Sequence, residues 1–169
     1  QGNRFRAEYS IDVDGITAQD WLSVGWDGSL ADTEGTAGEE AGYATPVTDK
    51  VVTLAGEEVE DWTVEGINEE DVNMPSGRNV SWVVTRNAYF TTALMPRDDV
   101  IYDVYLTGST SQEGLPHFGT EIRAQYAGEP LSFGLMVGPL SYSILQRQEV
   151  DLYGRDTYAN LGQVVQFGW

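Results

Sequence analysis

The chain has 169 residues, of which 41% are hydrophobic and 21% charged; that suffices for one domain with a real core and is too apolar for an intrinsically disordered chain. Its 27 acidic and 9 basic residues give a formal charge of −18, which argues against holding nucleic acid or anionic lipid headgroups on a basic surface. Cysteine is absent, so disulfides and thiolate metal sites are excluded.

No apolar run approaches the ~18 residues that span a bilayer, and the N-terminus lacks the basic-then-apolar layout of a signal peptide. The expectation is a chain soluble in isolation, with any anchor or export signal outside it. Lys50 is the sole lysine. An acidic, lysine-poor surface suits a salt-loving source, and it equally suits an ordinary acidic surface.

Arg4–Val13 alternates strictly. Phe5, Ala7, Tyr9, Ile11 and Val13 point one way, and Arg4, Arg6, Glu8, Ser10 and Asp12 the other, which predicts a strand with one face on a core. Asp14-Gly15 closes it as a turn, and Trp21–Trp26 is the next strand. Asp27–Thr45, rich in Gly, Ala, Thr and acidic residues, reads as a long loop. Strands resume at Lys50–Leu54 and Val59–Val64 around a turn near Gly56, and Asn68–Gly77 reads as an acidic loop ending in Pro-Ser-Gly. Val80–Thr85 and Tyr89–Met95 form two strands around Arg86-Asn87-Ala88. Val100–Thr107 follows. In His117–Tyr126, Phe118, Thr120, Ile122, Ala124 and Tyr126 share one side. Leu131–Val137 is the last strand, and Leu140–Gln148 is a short helix with Leu140, Ile144 and Leu145 on one face. About nine closely spaced strands, with one or two short helices near the end, predict an all-β, mainly antiparallel sandwich.

Two stretches carry a family resemblance. The first is Ser81-Trp82-Val83-Val84 through Asn87-Ala88-Tyr89-Phe90 to Ala93-Leu94-Met95-Pro96. The second is the strand ending at Gly138-Pro139, its short helix, and the closing Phe167-Gly168-Trp169. Together they resemble the end of the large periplasmic domain of YidC-type membrane-protein insertases. The likeness is specific over Val80–Pro96 and Leu131–Trp169; before Val80 it is one of pattern. It implies a twisted supersandwich related to galactose mutarotases. Residues 1–169 would be one periplasmic domain, the C-terminal part of a longer one, with 150–169 leading to the membrane. It also implies a non-catalytic role at the periplasmic face of the bacterial inner membrane. The implied partners are the Sec translocon, the periplasmic regions of SecDF and membrane-protein clients. The motif positions Trp82, Tyr89, Phe90, Pro96, Gly138, Pro139, Gly168 and Trp169 would be structural, and no cofactor or metal is implied.

Catalytic and binding alternatives are thin. Sugar epimerases of mutarotase-like fold use a paired base and acid. His117 and Glu121 share a strand face but stand roughly 13 Å apart at ~3.3 Å per residue. Asp12-Val13-Asp14-Gly15 opens like a calcium loop, yet Trp21 stands where the closing Glu belongs. The clusters Glu57-Glu58-Glu60-Asp61, Glu69-Glu70-Asp71 and Asp98-Asp99 could be glycosidase carboxylates, but such runs are expected on the solvated loops of an acidic chain. Trp21, Trp26, Trp62 and Trp82 could line a sugar or peptide groove or fill the core. The alternative function is therefore a carbohydrate-binding or carbohydrate-active sandwich.

Overall fold

The computed structural model describes residues 6–12, 14, 15, 17, 20–28, 50–55, 58–70, 80–87, 89–97, 100, 102–110, 116–153 and 161–165. Its strands are β1 (Arg6–Ile11), β2 (Trp21–Asp27), β3 (Lys50–Ala55), β4 (Glu58–Trp62), β5 (Val80–Arg86), β6 (Phe90–Pro96), β7 (Asp103–Thr110), β8 (Pro116–Gln125) and β9 (Leu131–Pro139). The helices are α1 (Val64–Glu70), α2 (Tyr142–Tyr153) and a single 3-10 turn, Leu161–Val164. Every ladder is antiparallel. The large sheet has the order β1-β9-β6-β5-β3-β4 and the small one β2-β8-β7.

The sandwich core lies between the sheets. The alternating set of β8, Phe118, Thr120, Ile122, Ala124 and Tyr126, is buried throughout. Val104 and Leu106 of β7 join it, and Leu22, Val24 and Trp26 of β2 pack on its margin. The large sheet answers with Val80, Val83, Leu94 and Leu131. On the edge strand β1 the alternation holds less firmly: Ala7 is exposed and Ile11 half-buried. Phe5 and Val13 lie outside the described residues.

Strands β5 and β6 are buried on both faces. Trp82, Val84, Ala93, Met95 and Met136 form a second core on the outer side of the large sheet, roofed by Leu145 of α2 and by Leu161 and Val164 of the 3-10 turn. A bulge makes this possible. Leu54 pairs with Trp82 but Ala55 with Val80, so Ser81 is the extra residue. That residue lets Val80 face the sandwich core while Trp82, two positions on, faces the other way. The molecule thus has three layers: small sheet, large sheet, and C-terminal helices.

One helix was not expected. Val64 starts α1 instead of ending a strand, and Asn68, Glu69 and Glu70 belong to that helix instead of a loop. Thr63 is the N-cap, its Oγ1 accepting from the Gly66 N–H at 3.2 Å and its carbonyl from the Ile67 N–H at 3.0 Å. Val64 and Ile67, three apart, turn one stripe into the sandwich core. The helix approaches β7 at Gly108, where an added Cβ would stand 3.2 Å from the Val64 backbone. The C-terminal helix is also longer than expected, running to Tyr153.

Candidate functional site

The motif residues within the described part lie on β5, β6 and β9 and in the bend between β5 and β6. Trp82 is wholly buried in the second core. Pro96 ends β6 opposite Phe133, and Phe90 stands opposite Pro139 with Thr91 opposite Gly138. Gly168 and Trp169 lie outside the described residues. The hairpin between β5 and β6 is closed by Asn87. Its Oδ1 accepts from the N–H groups of Tyr89 at 2.9 Å and Phe90 at 2.7 Å, and its own N–H donates to the Phe90 carbonyl at 3.0 Å. An Asn side chain can satisfy backbone donors in this way and so fix a tight turn. The Tyr89 carbonyl in turn accepts from the Leu140 N–H at 2.6 Å, tying the hairpin tip to the junction of β9 and α2. Ser141 opens α2, its carbonyl accepting from the N–H groups of Ile144 and Leu145. Four large side chains remain exposed at this tied end: Tyr89, Phe90, Val137 and Tyr142.

The second candidate is a groove of about 410 Å³ on the outer face of the small sheet, lined in part by Ser23, Trp26, Asp27, Tyr105, Thr107 and Glu121. It exists because Gly25 and Gly119 have no side chains on that face; a Cβ at Gly119 would collide with Thr107 Oγ1. Of the lining residues, Glu121 accepts a bidentate pair from Arg123, Nε to Oε1 at 2.8 Å and Nη2 to Oε2 at 3.1 Å. The guanidinium also sits 4.0 Å over the Tyr105 ring. The Arg123 guanidinium, aided by the Ser23 hydroxyl, holds the Glu121 carboxyl below the usual carboxylate range.

His117 and Glu121 are not brought together. The His117 Nε2 meets Asp27 Oδ1 at 2.9 Å, both groups well exposed, while Glu121 is engaged by Arg123. Asp14 and Gly15 form a turn, with Gly15 at φ 84°, and Asp12 accepts from the Tyr126 hydroxyl at 3.5 Å. Among the described residues no three His, Cys, Asp or Glu side chains are arranged to hold a metal ion. The four tryptophans part company. Trp82 is in the second core, Trp26 and Trp62 are half-buried at the margin of the sandwich core, and Trp21 is exposed on the outer face of β2. The groove itself was not anticipated, because its two glycines reach one face only through the strand register. No helix among the described residues is long and apolar enough to cross a membrane.

A two-sheet antiparallel sandwich with a helical C-terminal roof defines an all-β sandwich module. The chain belongs to the YidC periplasmic domain family, whose model matches residues 1–169. It is similar to the membrane protein insertase YidC of Chlorobium phaeovibrioides (strain DSM 265 / 1930), 27% identical over 179 residues, covering 99% of this chain and 28% of that protein. The YidC insertase of Chlorobium luteolum (strain DSM 273 / BCRC 81028 / 2530) is 27% identical over 177 residues, covering 99% of this chain and 27% of that protein. That of Pelodictyon phaeoclathratiforme (strain DSM 5477 / BU-1) is 25% identical over 182 residues, with 99% and 27% covered. The chain therefore spans little more than a quarter of the relatives it matches.

Proposed function

We propose that this chain serves, without catalysis, as the periplasmic docking domain of a membrane-protein insertase at the bacterial inner membrane. The observation that carries the reading is the family match over the full 1–169 span. In this reading residues 1–169 are one domain and 150–169 lead toward the membrane. Trp82, Tyr89, Phe90, Pro96, Gly138 and Pro139 maintain the hairpin and its tie to α2, and perform no chemistry. The domain meets periplasmic parts of the Sec translocon and SecDF and supports insertion of membrane-protein clients.

Support for the non-catalytic part comes from the groove. Of its two lining carboxylates, Glu121 is paired with Arg123 and Asp27 with His117. Glu121, held as the carboxylate by Arg123, is not a ready general acid. The same pairing weighs against a carbohydrate-active enzyme, although the groove leaves sugar binding as the competing reading.

The experiment is a full-length relative insertase carrying this chain in place of its own periplasmic domain, produced in a depletion strain. The expected result is normal client insertion, with photo-crosslinks from the domain to Sec components. Normal insertion with the domain deleted altogether, and no crosslinks to Sec components, would overturn the docking role. Saturable binding of a hexose to the isolated chain, lost in Glu121→Gln, would favour the sugar-binding reading.

A further inference from the structure

We infer that the groove on the outer face of the small sheet seats an extended polypeptide segment presenting an arginine or lysine side chain; the inference rests on the insertase reading above, whose docking surface it names. Strand register lays the groove out in diagonals. Asp27 stands opposite Gly119, and Gly119 opposite Thr107; Gly25 stands opposite Glu121, and Ser23 opposite Arg123. Gly25 and Gly119 therefore leave a diagonal without side chains between two polar walls. On one side are Ser23, Glu121 and Thr107, and on the other is Asp27, held by the neighbouring His117 at 2.9 Å. Neither glycine has a positive φ, so the conformation of the strands does not call for them. Glycine inside a strand weakens it and marks places where another backbone approaches closely. The volume, about 410 Å³, falls in the ~300–1,000 Å³ range of ordinary ligand sites.

The walls select the occupant by charge. Asp27 is 86% exposed and, among the described residues, uses only Oδ1, on His117, so Oδ2 is open to a donor. The Ser23 and Thr107 hydroxyls and the Glu121 carboxylate line the same space, and each of these groups accepts hydrogen bonds. The Arg123 guanidinium is already engaged by Glu121 and stacked 4.0 Å over Tyr105. Among the described residues, the outward positions of the three strands carry three carboxylates, Asp27, Asp103 and Glu121, against that one guanidinium. The whole chain has a net charge of −18. Such a surface attracts a basic segment and repels an acidic one or a second copy of this chain. A cationic side chain between the walls meets oxygens on either side, and charge-assisted bonds of this kind are the strong ones. The glycine floor lets the main chain of that segment come close. A saccharide is less well served, because the lining rings are engaged. Trp26 packs at the margin of the sandwich core and its Nε1 donates to the Gly28 carbonyl at 3.2 Å, Tyr105 carries the Arg123 guanidinium, and Trp21 is not in the lining.

The probes are blocked pentapeptides of sequence Gly-Ser-X-Ser-Gly, with arginine, glutamine or glutamate at X. Each is titrated into the isotope-labelled 169-residue chain and followed by amide NMR. The expected result is saturable shifts at Gly25, Thr107 and Gly119 with the arginine peptide, weaker ones with glutamine and none with glutamate. Added salt should weaken the arginine peptide by screening. Asp27→Asn should weaken it by roughly three- to tenfold, the range of an exposed charge-assisted contact, and Thr107→Val by less. Trp21→Ala, on the same face but outside the lining, should leave binding unchanged. Urea midpoints for all variants confirm that each chain is folded.

Equal responses to the three peptides, or arginine-peptide binding unchanged in folded Asp27→Asn, would overturn the proposal. So would saturable binding of a hexose or its oligomers at the same amides without any response to the arginine peptide, because the groove would then hold sugar. Client insertion by the full-length relative carrying this chain reports separately. No peptide response, with normal insertion and Sec crosslinks that Asp27→Asn does not alter, sinks only the groove as docking surface. Selective binding of the arginine peptide with failed insertion sinks only the insertase reading.

Discussion

At the scale of single residues, the two cores rank the consequences of substitution. Leu145 is fully buried beneath α2 and against the large sheet, so Leu145→Ala should cost on the order of 2–5 kcal/mol, part transfer and part cavity. Trp21→Ala, at an exposed outer-face position, should stay within about 0.5 kcal/mol. Urea titration of the two variants reads both. Glu121 gives a prediction in pH. Its carboxyl is held below the ordinary value near 4.5, mainly by Arg123 and then by Ser23. A depressed folded pKa means stability that is present above the unfolded value and is lost as pH falls through the folded one. The contribution should therefore disappear only on the acid side, and it is small because both partners are partly exposed. Carbon-detected NMR of the Glu121 carboxyl should show a low titration that moves back up in Arg123→Gln. An ordinary midpoint in the native chain would mean that the bidentate pair does not persist in solution.

At the scale of elements, α1 shows what periodicity can and cannot reveal. Its apolar stripe is only Val64 and Ile67, and a seven-residue helix offers too few turns for a 3.6-residue pattern to emerge from acidic surroundings. The legible signal was the cap: a threonine preceding the segment, with its hydroxyl on the Gly66 amide. Thr63→Ala should cost about 1 kcal/mol, and hydrogen exchange should rise first at the N-terminus of α1. By contrast β8 was readable almost residue by residue, because one face meets a continuous core and the other meets water. The two-sided burial of β5 and β6 was harder to foresee. Ser81-Trp82-Val83-Val84 does not alternate, and only the bulge together with the helical roof explains why both faces need apolar residues. The groove was illegible for another reason: it is made by the lack of side chains at Gly25 and Gly119, and register alone brings them to one face.

At the scale of the whole molecule, charge and fold pull against each other. Twenty-seven acidic residues against nine basic ones repel one another more in the folded chain than in the expanded one. Added salt should therefore raise the melting temperature, and the shape of the response identifies the cause. Screening saturates: the Debye length falls from ~30 Å at about 0.01 M to ~10 Å at 0.1 M and ~3 Å at 1 M, so most of the change in long-range repulsion is over by a few tenths molar. Preferential exclusion of salt from apolar surface instead keeps strengthening at high concentration, and it is much stronger for sulfate than for chloride. The expected result in sodium chloride is a steep rise at low concentration that then levels off. Substituting several exposed carboxylates by their amides should shrink that initial rise and leave any high-salt slope unchanged. Thermal scans followed by circular dichroism at the strand minimum measure both. A flat response, or one that climbs linearly and is indifferent to removing carboxylates, would show that self-repulsion does not limit this domain, and the salt-adapted interpretation of its surface would be lost with it.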